Sequence, residues 1–209
     1  MGLYSRILFP HLLDWAMHSP GFARYRPPVL AAARGRVLEI GFGTGANLRH
    51  YPPAITRLET LDPDPALARL AARRIAAAGW GGPERQVITH RLSAETLPFG
   101  PAEFDTVVST FTLCSIPDVA AALREVRRVL KPGGAFLFLE HGRAPDPGVA
   151  RWQDRLDPLQ NRIGGGCHLN RPVAALVREA GLAISELDER YVARLPRFVG
   201  WFSSGRALA

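Results

Sequence analysis

Apolar runs and helical periods alternate along this chain, and their order sets the expected architecture. Short runs at Val37–Ile40, Arg57–Leu61, Phe104–Ser109 and Ala135–Leu139, with an alternating stretch at Gln86–Arg91, read as strands. Helical patterns fall between or after them. One spans Asp64–Ala78, opened by Asp-Pro and stopped by Gly79, with its arginines expected on a solvated face. The next spans Val119–Leu130 behind an Asp118 cap and is ended by Lys131-Pro-Gly-Gly134. Val149–Ile163 and Pro172–Ala180 follow, the latter with Asn170 as its expected cap. Leu182–Tyr191 and Arg197–Phe202 close the chain as a hairpin-like pair at the sheet edge. Strand and helix in this order predict an α/β fold: a doubly wound, seven-stranded sheet, mostly parallel with an antiparallel edge strand, in a single domain.

Ahead of that core, Tyr4 to Arg26 reads as two short helical pieces split near Pro20-Gly21, with Ile7, Leu8, Leu12, Trp15 and Ala16 on one face. Three readings stay open for this N-terminal helical cap. It packs on the domain edge; or it closes over a site and brings Tyr4, Asp14 or Tyr25 towards a substrate; or it lies at a membrane surface with Arg6 near lipid headgroups. The expected division is residues 1–34 for the cap, 35–140 for a cofactor core, and 141–209 for substrate-side helices and closing strands.

The chemistry starts where the first strand breaks into Gly41-Phe-Gly-Thr-Gly45 and a following helical segment. Glycine at alternate positions permits a sharp turn and a close approach of backbone to ligand, and a helix start directs unpaired N–H groups to the same place. Asp62 ends the second strand 21 residues past Gly41, where a carboxylate can hold a ribose diol. A dinucleotide site and an S-adenosylmethionine (SAM) site both fit so far. The dinucleotide fingerprint, however, wants its third glycine one residue later, and no basic loop suited to a diphosphate follows.

Five motifs in order carry a resemblance: Glu39-Ile-Gly-Phe-Gly-Thr-Gly45, Asp62-Pro63, Ala94-Glu-Thr-Leu-Pro-Phe99, Phe104-Asp-Thr-Val-Val-Ser109 and Val129-Leu-Lys-Pro-Gly-Gly134. Over Arg36 to Glu140 the chain resembles class I SAM-dependent methyltransferases, in the subgroup that holds the ubiquinone/menaquinone C-methyltransferases; this implies a Rossmann-like fold with SAM as cofactor. The resemblance implies cofactor contacts from Glu39, Gly41, Gly43, Gly45, Asn47, Asp62, Pro63, Ser93, Ala94 and Thr110. Ser93 departs from the family pattern, which usually has an acid there to receive the adenine amino group; a hydroxyl can also accept that bond. Further stretches, Gly45-Ala-Asn-Leu-Arg-His-Tyr-Pro-Pro53, Thr112-Leu-Cys-Ser115, Glu140-His141, Leu156-Asp-Pro158 and Gly166-Cys-His-Leu-Asn-Arg171, are similar to the membrane-associated alkyl-thiol S-methyltransferases of animals and their bacterial relatives. Those animal proteins carry a long apolar N-terminal anchor that this sequence is not expected to have.

His141, at the carboxyl edge of a central strand, and His168, after three glycines, are the expected catalytic residues. An imidazole titrating near 6.5 can take a proton from an attacking group or hold its sulfur or oxygen. Carbonyls of Thr110–Ile116 are expected at the methionine end of the cofactor, and Arg171 faces the acceptor as an alternative to His168. A thiol acceptor needs only mild activation; a quinone ring carbon, a phospholipid headgroup nitrogen and a non-catalytic SAM-binding module remain as alternatives. The expected partner is a small, largely apolar acceptor, with peripheral membrane contact left open and no obligate protein partner.

Composition changes this little. The net charge of +7 comes almost wholly from arginine, since Lys131 is the lone lysine, and the positives are scattered rather than clustered with aromatics, so no nucleic acid is expected. Cys114 and Cys167 are too few for a disulfide framework and form no C-x-x-C pair, so no metal is expected, Cys114 reads as a buried inert thiol, and a cytoplasmic location fits. The interrupted apolar stretch Leu3–Met17 is too short and polar to span a bilayer.

Overall fold

The first strand, β1 (Val37–Ile40), lies at the centre of the sheet because all four of its residues are apolar or paired and buried on both faces. It is flanked in parallel by β2 (Arg57–Leu61) and β4 (Phe104–Thr110). Outside them run β3 (Gln86–His90) against β2 and β5 (Leu130–His141) against β4, again in parallel. The C-terminal pair is β6 (Ala183–Tyr191) and β7 (Trp201–Leu208), and the seven-stranded order is β3-β2-β1-β4-β5-β7-β6. β7 runs antiparallel to both neighbours, inserted between β5 and the edge strand β6. The strand order reverses between β1 and β4, and ligands of open α/β sheets bind outside the carboxyl ends of strands at such a switch point. This computed structural model describes residues 8–209; Tyr4, Arg6 and Ile7 of the expected first helical piece lie outside the described residues.

Helices cover both faces, as a central parallel sheet requires. On one side α5 (Val119–Val129) buries Ala122, Leu123, Val126 and Val129 against Leu38, Phe136 and Phe138, and α7 (Val173–Glu179) adds Val173 and Val177. Each fully buried Leu or Val contributes roughly 1.5–3 kcal/mol relative to exposure. On the other, α3 (Arg26–Leu30) and α4 (Pro65–Ala77) bring Leu30 and Ala71 onto Val37, Leu58, Val108 and Leu137. Asp64 and Asp118 cap α4 and α5 by accepting the Ala66 and Ala121 N–H groups, Asp118 as its position predicted and Asp64 one residue ahead of the helix it was expected to begin.

Several expectations change. Among the described residues of Tyr4–Arg26 the two expected pieces are α1 (Phe9–His18) and α2 (Pro20–Ala23), divided at Ser19, and a further short helix, α3, begins where that stretch ends. Leu8, Leu12 and Trp15 do not pack on the domain, and Trp15 is 75% exposed. No α-helix follows the glycine loop; Leu48–His50 makes a single 3-10 turn. Tyr51-Pro52-Pro53 leaves too few residues to repay helix nucleation, and proline turns its predecessor extended. Asn170 does not cap α7: the N-cap is Pro172 with no side-chain bond, and the Asn170 amide donates to Asp154 on α6 (Pro147–Ile163). The last strand begins at Trp201, not Arg197, because Pro196 to Gly200 closes a turn through the Val199 and Gly200 N–H groups.

Candidate active site

At the tip of β1 the backbone enters the left-handed region three times, at Gly41 (φ 68°), Gly43 (φ 58°) and Gly45 (φ 78°). A side chain at Gly41 would collide with Thr112, and one at Gly45 would press on Leu48 and Phe42. At Gly43 nothing but the Gly41 carbonyl, 4.0 Å away, stands in the way, so the loop is open on that side. Asp62 closes the loop from the end of β2. Its carboxylate accepts the Gly43 N–H at 2.8 Å and the Asp64 N–H at 2.9 Å. Burial raises its pKa, and those two N–H groups oppose the shift. Each oxygen keeps lone-pair capacity for a diol. Pro63 follows directly, and Ser93 and Ala94 follow β3; the Ser93 hydroxyl donates to Glu95 and its oxygen can still accept, while Ala94 is buried.

Glu39, Asn47 and Thr110 meet beneath the loop in one buried network. Glu39 accepts from Asn47 Nδ2 at 2.9 Å and from the Tyr51 hydroxyl at 2.7 Å. Arg26, from the cap, donates to Asn47 Oδ1 and to Thr110 Oγ1, both at 2.7 Å, and lies over the Phe111 ring at 5.2 Å. Burial pushes Glu39 up to about 7 despite its donors and lowers Arg26 to about 10 despite nearby Glu39 and Glu140. Arg26 Nε is buried with no partner. Nothing in the sequence singled out Arg26, because an arginine after a glycine-proline stretch looks like any other surface charge.

The cap is fastened to the same loop. Asp14 on α1 accepts from the Thr44 hydroxyl at 2.5 Å and from Arg74 on α4 at 2.8 Å, and Arg74 also reaches the Thr44 carbonyl. One arginine of the expected solvated face of α4 is therefore a clasp. Tyr25 instead packs on Phe202, with its hydroxyl accepting from Arg24.

The opposite half of the site is built on the tips of β4 and β5. Phe111 adopts φ 53°, a costly conformation for a residue with a side chain. It is held by Glu140, a fully buried carboxylate that accepts from Ser109 Oγ at 2.7 Å and from the Thr112 and Leu113 N–H groups. Burial, with the Cys114 charge, raises Glu140 to about 8. Carbonyls of this loop are partly committed: Arg171 donates to that of Leu113 and the His168 N–H to that of Cys114. The carbonyls of Thr110 and Gly41 share the single Thr112 hydroxyl, at 3.1 Å and 3.3 Å, so each keeps capacity for a further donor.

His141, 8% exposed, ends β5 opposite Phe202 in the β5–β7 ladder. Phe202, its ladder partner, packs on Phe22, Tyr25 and Phe111 in an aromatic group supplied by the cap, the β4 loop and β7. Gln153 of α6 fixes the exit from β5, bonding the Gly142 carbonyl and the Ala144 N–H at 2.9 Å each. His141 Nε2 lies 3.2 Å from Cys167 Sγ, while Nδ1 is buried without a partner. A hydrogen bond from Cys167 lowers the Cys114 thiol well below its usual value, outweighing burial and assisted by His141; Cys167 is correspondingly raised. Burial opposes charge on His141, and the neighbouring Cys114 outweighs it and raises its pKa. Cys114 is thus not an isolated inert thiol, and the three groups Cys114, His141 and Cys167 place their donor atoms within 4.8 Å of one another. The absence of a C-x-x-C pair therefore did not keep the two cysteines apart in space.

His168 is bonded differently from the expectation. Its Nδ1 pairs with Asp157 at 2.8 Å and its Nε2 faces Asn161 at 3.1 Å, which leaves neither nitrogen free for an acceptor. Asp157 also takes the Leu169 N–H, so α6 clamps the segment that carries Cys167. Among the described residues no helix is long and apolar enough to cross a membrane.

Known proteins share this chain's sequence and fold to the following extent. A methyltransferase domain model matches residues 38–138. The chain is 39% identical over 145 residues to the thiol S-methyltransferase TMT1B of Homo sapiens, a match spanning 68% of this chain and 58% of that protein. It is 35% identical over 153 residues to the TMT1B of Rattus norvegicus, spanning 73% of this chain and 62% of the relative. The chain thus spans less than two thirds of either protein. A SAM-dependent methyltransferase of Thermotoga maritima, a possible histamine N-methyltransferase, has the same fold, with a TM-score of 0.68 at 20% identity over 98% of this chain and 97% of that one.

Proposed function

The chain belongs to the class I SAM-dependent methyltransferases, and from that premise we propose that it transfers the methyl group of SAM to a small apolar thiol. The observation that carries this reading is the setting of His141: a buried imidazole 3.2 Å from a sulfur of the protein itself, at a strand tip whose ladder partner Phe202 belongs to an aromatic group. The thiol S-methyltransferase relatives support it. The residues present fit the cofactor. Gly43 leaves room that a Cβ would fill, Asp62 keeps acceptor capacity for a ribose, and the orphaned Arg26 Nε calls for an acceptor of the kind a carboxylate supplies. Glu39, Asn47 and Thr110 would hold Arg26 in place, the carbonyls of Gly41 and Thr110 would receive the ammonium, and Ser93 and Ala94 would receive the adenine.

Bound SAM supplies an electrophilic methyl group on a sulfonium. The protein's part is positioning, exclusion of water and removal of one proton. The aromatic wall of Phe22, Tyr25, Phe111 and Phe202 desolvates an apolar acceptor and brings it to the cofactor side of β4, where in-line approach is worth far more than acid-base strength. His141 is the group placed to take or steady the acceptor's proton. Glu140 and Gln153 keep it there from either side. The test is incubation with methyl-labelled SAM and either a small alkyl thiol or a demethylated quinone. Label in the thioether is expected; label in the quinone alone overturns the reading. His141→Ala should lower turnover by about 100-fold or more with SAM affinity near normal, and an undiminished rate would make the imidazole structural.

A further inference from the structure

Cys114, His141 and Cys167 come from three separate elements: the loop after β4, the end of β5 and the glycine-rich segment after α6. Their convergence is therefore a product of the fold, not of local sequence. Their donor atoms lie within 4.8 Å of one another, with one nitrogen–sulfur separation of 3.2 Å. Zinc with bonds of about 2.3 Å to sulfur and about 2.0 Å to nitrogen sets tetrahedral neighbours roughly 3.6–3.8 Å apart, inside that range. Two thiols and an imidazole are the donors zinc prefers. His141 is more than nine-tenths buried and turns its Nε2 to the sulfurs, 3.2 Å from Cys167 Sγ, so the nitrogen that faces the cluster is placed as a ligand atom. Among the described residues the cluster offers three protein donors. Three protein ligands with one open position characterise zinc sites that handle substrates, whereas purely structural ones have four.

We propose that Cys114, His141 and Cys167 bind one zinc ion whose fourth position takes the acceptor thiol. This rests on the thiol reading above and assigns His141 a metal-bound nitrogen as its means of steadying the acceptor sulfur. Two thiolates balance the ion's charge, so the loaded site is neutral beside Arg171 and Glu140. When a thiol enters, its S–H bond breaks, the proton leaves to solvent, and a sulfur lone pair forms the bond to zinc. Another sulfur lone pair then forms the new carbon–sulfur bond as the methyl–sulfonium bond breaks, its electrons staying on the cofactor sulfur. The neutral thioether is a poorer ligand than the thiolate and departs.

The test uses the full chain, stripped with a chelator under a phosphine reductant and titrated anaerobically with Co(II), then with Zn(II). One equivalent is expected, with the near-ultraviolet sulfur-to-cobalt bands and intense visible bands of a tetrahedral site. Cys167→Ser and Cys114→Ala should each weaken binding by at least about 100-fold, with SAM affinity measured alongside as the check on folding. Ethanethiol should shift the cobalt spectrum of the wild-type chain. Wild-type protein holding less than about a tenth of an equivalent, bands that survive Cys167→Ser, or a spectrum unmoved by ethanethiol would each overturn the proposal, and the first and last need no variant to fold. None of these readouts involves methyl transfer. A metal-loaded chain that methylates no thiol loses the functional reading and keeps the site; a chain that methylates thiols and binds no metal does the reverse.

Discussion

The two halves of the site are made in opposite ways. The cofactor half lies at the tips of β1 and β2, where left-handed glycines and Asp62 sit within one short segment and close on each other through backbone N–H groups. The half we assign to the acceptor lies at the tips of β4 and β5 and is gathered from the cap, the β4 loop, the segment after α6 and the start of β7. The first is defined by backbone shape, so few side chains can be changed without losing it. The second is defined by side chains on scattered elements, so its chemistry can change while the cofactor half stays intact.

That contrast can be broken most severely at the glycines. Gly41→Ala should destabilise the fold by about 3 kcal/mol, because the new Cβ meets Thr112 in a left-handed backbone; Gly43→Ala should cost only about 1 kcal/mol of stability yet lose SAM affinity. Thermal unfolding and calorimetry on both variants check this, and equal behaviour would mean that the open side of the loop is not the cofactor's. Next in size, Asp62→Ala should remove about 1.5–3 kcal/mol of SAM binding, or roughly 10- to 150-fold in affinity. Unchanged affinity in calorimetry would move the ribose elsewhere.

A pH series separates the buried carboxylates from the rest. Burial raises Glu39 to about 7 and Glu140 to about 8, so the folded chain binds these protons more tightly than the unfolded chain does. The stability this gives is complete below about pH 4.5 and is lost as the pH rises through 7 to 8. Glu39→Gln should remove part of that slope, about 1–2 kcal/mol between about pH 5 and pH 8; denaturant midpoints that fall equally steeply in the variant would show that the carboxyl does not titrate there. The smallest effect is expected at the clasp. Asp14→Ala should cost no more than about 1 kcal/mol of stability and speed SAM dissociation, and stopped-flow release at the wild-type rate would leave α1 with no part in closing the loop.

The same contrast explains what could be read from residues alone. β1, β2, Asp62 and the caps Asp64 and Asp118 were legible because apolar runs, glycine spacing and capping act over a few residues. The helix expected after Gly45 failed because the two prolines act just beyond the window in which the glycines were weighed. Asn170 failed as a cap because Asp154, 16 residues away, offers its amide a better partner. Arg26 and the Cys114–Cys167 pairing had no local signal at all. The relevant neighbours are 84 residues apart for Arg26 and Thr110, and only the folded sheet brings them together. His141 was legible as a strand-tip imidazole, but its sulfur neighbours were not.

The placement of β7 has a consequence for how the chain matures. β7 follows β5 in the chain only after α6, α7 and β6, yet lies beside it in the sheet, so the outer edge of β5, from Ala135 to Leu139, stays unpaired until β7 has been made. A nascent chain can therefore assemble β1 and β2 with their glycine loop early, and Phe202 joins Phe22, Tyr25 and Phe111 only once β7 has been made. A product arrested just short of Trp201 would bind SAM poorly sheltered from water and would offer a ready apolar ladder for self-association.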